Sequence, residues 1–261
     1  MSYYTVSDED VARFHADGFL IVPGLLDPRE TDLLYKIGKA DHVLAGKSAG
    51  RKDASGVTVK LALSNDLHDD IYAAVVRSRR IADTMERLLG DEVYHYHNKM
   101  IMKEPMAGGA WEWHQDYGYW YGNGCLFPTM ASCMIAGDRA TRENGCLQVI
   151  RGSHLMGRVD HGKTGDQTGA DLERVDAALK KLELVYCEMD PGTGVFFHGN
   201  TLHRSDQNRS QNPRWAFICC YNTKGNDPYK QSHHPNYSYM EKWPDERVRE
   251  IGMAQWQAMG K

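Results

Sequence analysis

The chain has 261 residues, of which 41% are hydrophobic and 25% charged, and its formal net charge is −4. This length allows one large domain with a full hydrophobic core, and we predict a single domain over residues 1–261. The mild acidity argues against a nucleic-acid partner held through its phosphates. Because no run approaches the roughly 18 apolar residues of a membrane span and the N-terminus lacks a signal-peptide pattern, no membrane partner is expected.

Helices are predicted for the first part of the chain. Ser7 and Asp10 match a capping box, and Gly18 ends the first helix. A strand is predicted over residues 19–22, and a second helix begins near Asp27. The later predictions in this part are a strand over residues 57–63 and a helix over residues 68–89.

Short β-rich runs separated by turn residues dominate from residue 92 onward. The Gly-rich stretch 157–170 is predicted to be a long surface loop. Helices followed by many short strands predict a mainly β fold, a β-sandwich or jelly roll buttressed by N-terminal helices. The predicted strands cover residues 92–102, 111–117, 129–136, 146–150, 183–188, 194–198 and 214–221.

The six cysteines show neither a C-x-x-C pair nor regular spacing. That pattern favours reduced thiols packed as small apolar groups over a disulfide framework. Reduced thiols are typical of cytoplasmic proteins, so the cytoplasm is the predicted location.

Three His-x-Asp triplets occur, at residues 15–17, 68–70 and 114–116. Residues two apart on a helix point to nearly opposite sides, which disfavours the first two triplets as metal-ligand pairs. On a strand the same spacing puts both side chains on one face, about 7 Å apart. His114 and Asp116 lie in an aromatic-rich, strand-like segment and are therefore the predicted ligand pair.

Two histidines and one carboxylate on one side of a metal leave positions open for a chelating co-substrate and for O₂. A third ligand must come from far along the chain, and the stretch 194–203 offers both His198 and His203. Further on, Arg214 opens an apolar strand, where an unpaired charge would be costly. Its rigid, permanently charged fork could grip the far carboxylate of a dicarboxylate co-substrate.

These motifs resemble the phytanoyl-CoA dioxygenase family, whose members include small-molecule hydroxylases. The matching stretches run in the family's order and cover most of the chain: residues 18–24, His114-Gln-Asp116, Asn144-Gly-Cys-Leu147 with Gly152-Ser-His154, and residues 195–214. The resemblance implies a double-stranded β-helix, or cupin-like jelly roll. It also implies Fe(II), 2-oxoglutarate and O₂ as cofactors.

The same resemblance assigns roles to single residues. It makes His203 the distal iron ligand beside His114 and Asp116, and leaves His198 as a neighbour. It makes Arg214 the anchor of 2-oxoglutarate. Lys60 then lies where the family commonly has a second 2-oxoglutarate contact, and Lys99 lies near another. A tryptophan that the family has on the following strand falls near Ser132 here.

Simpler roles compete with several of these assignments. His203 could be satisfied by the turn that follows it, Lys60 could be an edge-strand lysine, and the aromatic group of residues 111–121 suits core packing better than a substrate cage. A zinc enzyme and a metal-free binding module on the same fold remain alternatives. Iron halogenases on this fold have a small residue in place of the ligand carboxylate, so that chloride can bind there. The presence of Asp116 therefore favours hydroxylation over halogenation. A free small metabolite is the expected substrate.

Overall fold

A computed structural model describes residues 3–41, 45–46 and 48–260. In the described part of the chain, the helices with defined bounds before the main β region are α1 Asp8–Asp17, α2 Pro28–Ala40, α3 Ile71–Arg77 and α4 Arg79–Leu89. The capping box of Ser7 and Asp10 is confirmed, and Gly18 ends α1 in the left-handed conformation. Three further helices follow later: α5 Asp116–Trp120, α6 Leu172–Leu179 and α7 Arg247–Ala258.

The single helix predicted over residues 68–89 is instead two helices. Asp70 caps the N-terminus of α3 by accepting from the amide of Ala73, so the helix begins at Ile71. Ser78 then adopts extended backbone angles between α3 and α4. Its hydroxyl donates to the carbonyl of Val75, and such a local bond competes with continued helix formation.

Thirteen strands are described: β1 Phe19–Val22, β2 Ala49–Lys52, β3 Thr58–Ser64, β4 Val93–Lys103, β5 Trp111–His114, β6 Met130–Ala136, β7 Leu147–Ile150, β8 His161–Thr164, β9 Gln167–Ala170, β10 Leu184–Cys187, β11 Gly194–His198, β12 His203–Ser205 and β13 Arg214–Thr223. Seven form a large antiparallel sheet in the order β1-β11-β6-β13-β4-β3-β2. Four form a smaller sheet in the order β10-β7-β12-β5, and β8 pairs with β9.

The two faces of the large sheet pack differently. Successive strand residues point to opposite faces. On β13, Phe217 packs with residues of the helices, whereas Ile218 packs in a second core that includes Val149 of the small sheet. The helices therefore cover the outer face, and the inner face meets the small sheet. This arrangement confirms the mainly β fold with flanking helices.

The predicted surface loop at residues 157–170 is wrong in part. Residues 161–170 form the β8–β9 hairpin, which lies along β5. Gln167 fixes the hairpin there, since its side chain accepts from the amide of Glu112 and donates to the carbonyl of Ala110. The sequence did not reveal this pairing, because the stretch consists largely of glycine and polar residues and lacks the apolar alternation of a strand. Hydrogen bonds hold the hairpin in place.

The six cysteines are free thiols, and all six are buried. Burial raises the pKa of the Cys125 and Cys146 thiols to about 11, so both stay protonated at neutral pH. Among the described residues, no helix combines the length and the apolar character that crossing a bilayer would require.

Candidate metal centre and active site

His114 and Asp116 converge through a turn between a strand and a helix. The predicted strand over residues 111–117 ends at His114, and Asp116 is the first residue of α5. Gln115 holds the turn, because its buried amide donates to the carbonyls of Gly157 and Asn200, both at 2.8 Å. The expectation that both side chains share one strand face was therefore wrong, although the two still meet.

A third side chain joins them from the neighbouring strand. His203 on β12 pairs with His114 on β5. The Nε2 atoms of His114 and His203 lie 3.8 Å and 3.9 Å from Oδ1 of Asp116. The ligand atoms of these three buried residues all lie within 4.8 Å of one another. In the described part of the chain, no other three His, Cys, Asp or Glu residues meet this closely.

Both histidines are oriented by backbone carbonyls. Nδ1 of His114 donates to the carbonyl of Glu112 at 2.7 Å, and Nδ1 of His203 donates to the carbonyl of Thr201 at 2.9 Å. A carbonyl can only accept, so each Nδ1 carries the proton and each Nε2 presents a lone pair. Burial lowers the pKa of both rings, which keeps them neutral as metal ligands must be.

The carboxylate of Asp116 is held at both oxygens. The hydroxyl of Tyr119 donates to Oδ1 at 2.6 Å, and the hydroxyl of Ser132 donates to Oδ2 at 2.9 Å. Burial by itself would raise the pKa of Asp116. The nearby charge of Lys99 and the Tyr119 hydrogen bond instead hold that pKa below its usual range. Asp116 is therefore ionised at neutral pH.

This donor set fits iron(II). Two neutral imidazole nitrogens and one carboxylate are the ligands that non-haem iron(II) oxygenases use on one face of the metal. Structural zinc sites need a fourth protein ligand, and the described residues contribute no fourth His, Cys, Asp or Glu to the group. The remaining coordination positions would face the adjoining cavity.

That cavity has a volume of about 360 Å³ and is lined by both His114 and His203. Its walls come from inner-face residues of the large sheet, such as Ile101 and Ile218, and from aromatic residues near the metal group, such as Tyr119 and Phe197. A cavity of this size suits small molecules and co-substrates.

Arg214 lies in the wall of this cavity and is buried. Its Nε and Nη2 donate to the carbonyl of Gly145 at 3.0 Å and 2.7 Å. Gly145 has a φ of 78°, and a Cβ there would come within 2.1 Å of the backbone oxygen of Asp206, so only glycine fits. Burial lowers the pKa of Arg214 to about 10, which leaves the guanidinium charged at neutral pH.

The two predicted lysines have different positions. Lys99 on β4 lines the cavity, with its Nζ 4.0 Å from Oδ1 of Asp116. Lys60 on β3 is exposed and does not line it. Leu61, the next residue, does, and strand neighbours point to opposite faces. Lys60 is therefore not brought to the site.

His198, the other candidate ligand, also lies outside the metal group. Its Nδ1 accepts from the amide of Asn200 at 3.1 Å, and its ring packs near Phe14 and His154. Of the predicted aromatic group, Trp111, Tyr119 and Trp120 line the cavity. The other three, Trp113, Tyr117 and Tyr121, do not.

Several cavity residues were not predicted. His97 on β4 lines the cavity, and so do His233 and His234. The rings of His97 and His234 stack with centroids 4.8 Å apart. His97 lies within the predicted strand over residues 92–102, which was a signal that could have been used. Nothing local marks residues 233 and 234, because only the tertiary fold brings them here.

Comparison with known proteins agrees with this geometry. The family described as phytanoyl-CoA dioxygenase (PhyH) matches residues 14–216. The chain is 31% identical to L-proline trans-4-hydroxylase of Streptomyces griseoviridis, over 83% of this chain and 86% of the relative. It is 27% identical to ectoine dioxygenase of Sphingopyxis alaskensis, over 85% of this chain and 77% of the relative.

Among solved structures, EctD from S. alaskensis with 2-oxoglutarate and 5-hydroxyectoine matches 93% of this chain and 90% of its own, at a TM-score of 0.78 and 22% identity. This likeness confirms the cupin-like jelly roll. These relatives give no support to a zinc enzyme or a metal-free binding module. The protein is a 2-oxoglutarate-dependent non-haem iron(II) dioxygenase that hydroxylates a small molecule, and the chain belongs to the phytanoyl-CoA dioxygenase family.

Proposed function

We propose that His114, Asp116 and His203 hold the iron and that Arg214 binds the distal carboxylate of 2-oxoglutarate. One observation carries this proposal. The three ligand atoms lie within 4.8 Å of one another beside a cavity whose wall contains the buried, charged Arg214. A buried guanidinium in a ligand cavity is costly unless an anion joins it.

Each of these residues has a chemical role. When bound, the iron supplies the activation of O₂ that couples conversion of 2-oxoglutarate to succinate and CO₂ with hydroxylation of an unactivated C–H bond. Arg214 and Lys99 place positive charge where a dicarboxylate would lie. Apolar side chains such as Ile218 and Phe197 exclude water from the reacting carbon.

The substrate proposed is a free small metabolite of about the size of an amino acid. The two relatives are named for L-proline and ectoine, which are both small and cyclic. A cavity of about 360 Å³ suits one such molecule beside the co-substrate. A coenzyme A thioester is disfavoured, because its phosphates need a basic patch that a chain of net charge −4 does not favour.

We further propose that residues 1–261 act as one domain in the cytoplasm. Six free, buried thiols fit a reducing compartment.

The central experiment mixes the anaerobic protein, iron(II) and 2-oxoglutarate with aerobic buffer and one compound of a panel that includes L-proline and ectoine. Succinate is then measured. We expect one compound to stimulate succinate release and to gain one oxygen atom by mass spectrometry. Absence of succinate with every compound, together with no iron binding in equilibrium dialysis, would refute the proposal.

A further inference from the structure

The mouth of the cavity is formed by the exposed members of its lining: Arg51, Leu63, Asp166, Thr168 and His233. Two elements that the sequence did not predict, β2 and the β8–β9 hairpin, contribute Arg51, Asp166 and Thr168. At the hairpin tip, a Cβ on Gly165 would come within 2.7 Å of the carbonyl oxygen of Asp53. The hairpin therefore closes directly onto the end of β2.

Asp166 is fixed at this junction by its backbone. Its amide donates to the carbonyl of Lys52 at 3.1 Å. Arg51 is the preceding residue of β2 and pairs with Val59 across β3. Directly paired residues share one face of a sheet, and Val59 is buried in the inner core. Arg51 therefore points to the cavity side, close to Asp166 along the backbone.

These two opposite charges are not paired. Neither side chain forms a hydrogen bond or an ion pair with any residue that the structure describes, nor do the two pair with each other. The other charged groups in the lining are engaged. Arg204 bonds Gln148 and Asp206, and Lys99 lies beside Asp116. Arg214 donates to a backbone carbonyl.

We propose that the substrate is a zwitterion, with its carboxylate bound by Arg51 and its protonated amine bound by Asp166. This inference rests on the proposed function, since it names the substrate class of the same site. In a free amino acid, the carboxylate and the protonated amine are attached to the same carbon. Such a molecule could bridge two unpaired groups of opposite charge. Charge-assisted hydrogen bonds at both ends would hold the molecule at the mouth, with its side chain directed inward. A purely anionic metabolite would leave Asp166 unpaired, and a neutral metabolite would leave both charges unpaired.

The test removes one charge at a time, from the protein and from the ligand. The free protein amino acids are first screened for stimulated succinate release. The compound found is then compared with its amide, which lacks the carboxylate, and with its N-acetyl derivative, which lacks the ammonium. We expect the wild-type kcat/KM to fall roughly 10- to 100-fold for each derivative, the loss typical of one charged hydrogen-bond partner.

The variants should respond selectively. Arg51→Gln should lower kcat/KM roughly 10- to 100-fold for the free amino acid and scarcely change it for the amide. Asp166→Asn should likewise lower kcat/KM for the free amino acid and scarcely change it for the N-acetyl derivative. Lys52→Gln and Asp176→Asn are the matched controls, because both residues are exposed and neither lines the cavity. Both controls should behave as wild type.

Two outcomes would overturn the proposal while leaving the dioxygenase intact. One is stimulation of succinate release only by uncharged or purely anionic compounds. The other is equal loss in both variants for every ligand, with recovery in the double variant, which would mean that Arg51 and Asp166 pair only with each other. A wild-type protein that neither binds iron nor forms succinate would instead refute the proposed function itself.

Discussion

The metal end of the cavity and its mouth differ in burial and in hydrogen bonding. At the metal end, His114, Asp116 and His203 are buried, and each is fixed by hydrogen bonds to carbonyls or hydroxyls. At the mouth, Arg51 and Asp166 are exposed, and their side chains have no hydrogen-bond or ion-pair partner among the described residues. Chemistry common to a family needs the first kind of site, whereas substrate choice can be changed at the second without disturbing the core.

The largest expected effect tests the metal end. His203→Ala removes one of the two proposed nitrogen ligands, and we expect loss of stoichiometric iron binding together with loss of turnover. His198→Ala is the matched control, since His198 lies in the same segment but outside the metal group. Equilibrium dialysis against iron(II) measures the difference. Retained iron binding in His203→Ala with loss in His198→Ala would reverse the ligand assignment.

The next largest effect concerns the proposed co-substrate anchor. Arg214→Lys keeps a charge but loses the planar fork, so the KM for 2-oxoglutarate should rise roughly 10- to 100-fold. Lys60→Gln should leave that KM unchanged, because Lys60 is exposed and absent from the cavity lining. Succinate formation at varied 2-oxoglutarate concentration checks both variants. An effect of Lys60→Gln equal to that of Arg214→Lys would show that the exposed lysine reaches the site.

A smaller effect is expected at Ser132, which donates to the carboxylate of Asp116. Removing a partner that orients a metal ligand typically costs roughly 10- to 100-fold in metal affinity, so Ser132→Ala should weaken iron binding by about that factor. Thr129→Ala on the chain just before β6 is the control, since its hydroxyl bonds Thr223 instead. Unchanged iron affinity in Ser132→Ala would mean that Tyr119 alone orients Asp116.

The two regions also differ in how far the sequence could predict them. His114, Asp116 and His203 were predicted together, because their residue types and order carry the family resemblance. The mouth was not predicted. Residues 157–170 lack the apolar alternation of a strand, and the Gln167 bonds that hold the hairpin against the chain around β5 join residues distant in sequence. Lys60 was predicted to contact 2-oxoglutarate but lies outside the cavity lining. Its position in a strand does not by itself determine which face of the sheet meets the cavity.

Ser132 illustrates the same limit inside the site. The expected family tryptophan is absent, and the hydroxyl of Ser132 donates to the carboxylate of Asp116. No local pattern marks that bond, since Ser132 and Asp116 belong to different elements. The strand-to-helix turn at Gln115 was also hidden, because its anchors, Gly157 and Asn200, are distant in sequence.

The smallest expected effect concerns pH and extends the comparison to a histidine outside the cavity. Burial lowers the pKa of His198 from 6.5 to about 3, so the folded protein keeps this ring neutral while the unfolded chain takes up a proton below pH 6.5. The contribution to stability is present above pH 6.5 and is lost as pH falls from 6.5 toward 3. Between about pH 7 and pH 5 the loss is about 2 kcal/mol for this one residue.

His198→Gln should therefore reduce the fall in unfolding free energy between about pH 7 and pH 5, although it lowers stability at neutral pH by removing a packed ring. Denaturant unfolding of the metal-free protein at both pH values measures this difference. His68→Gln is the control, because it removes an exposed imidazole and leaves the packing of the core intact. An unchanged pH dependence in His198→Gln would mean that the ring of His198 takes up its proton in the folded protein, without unfolding.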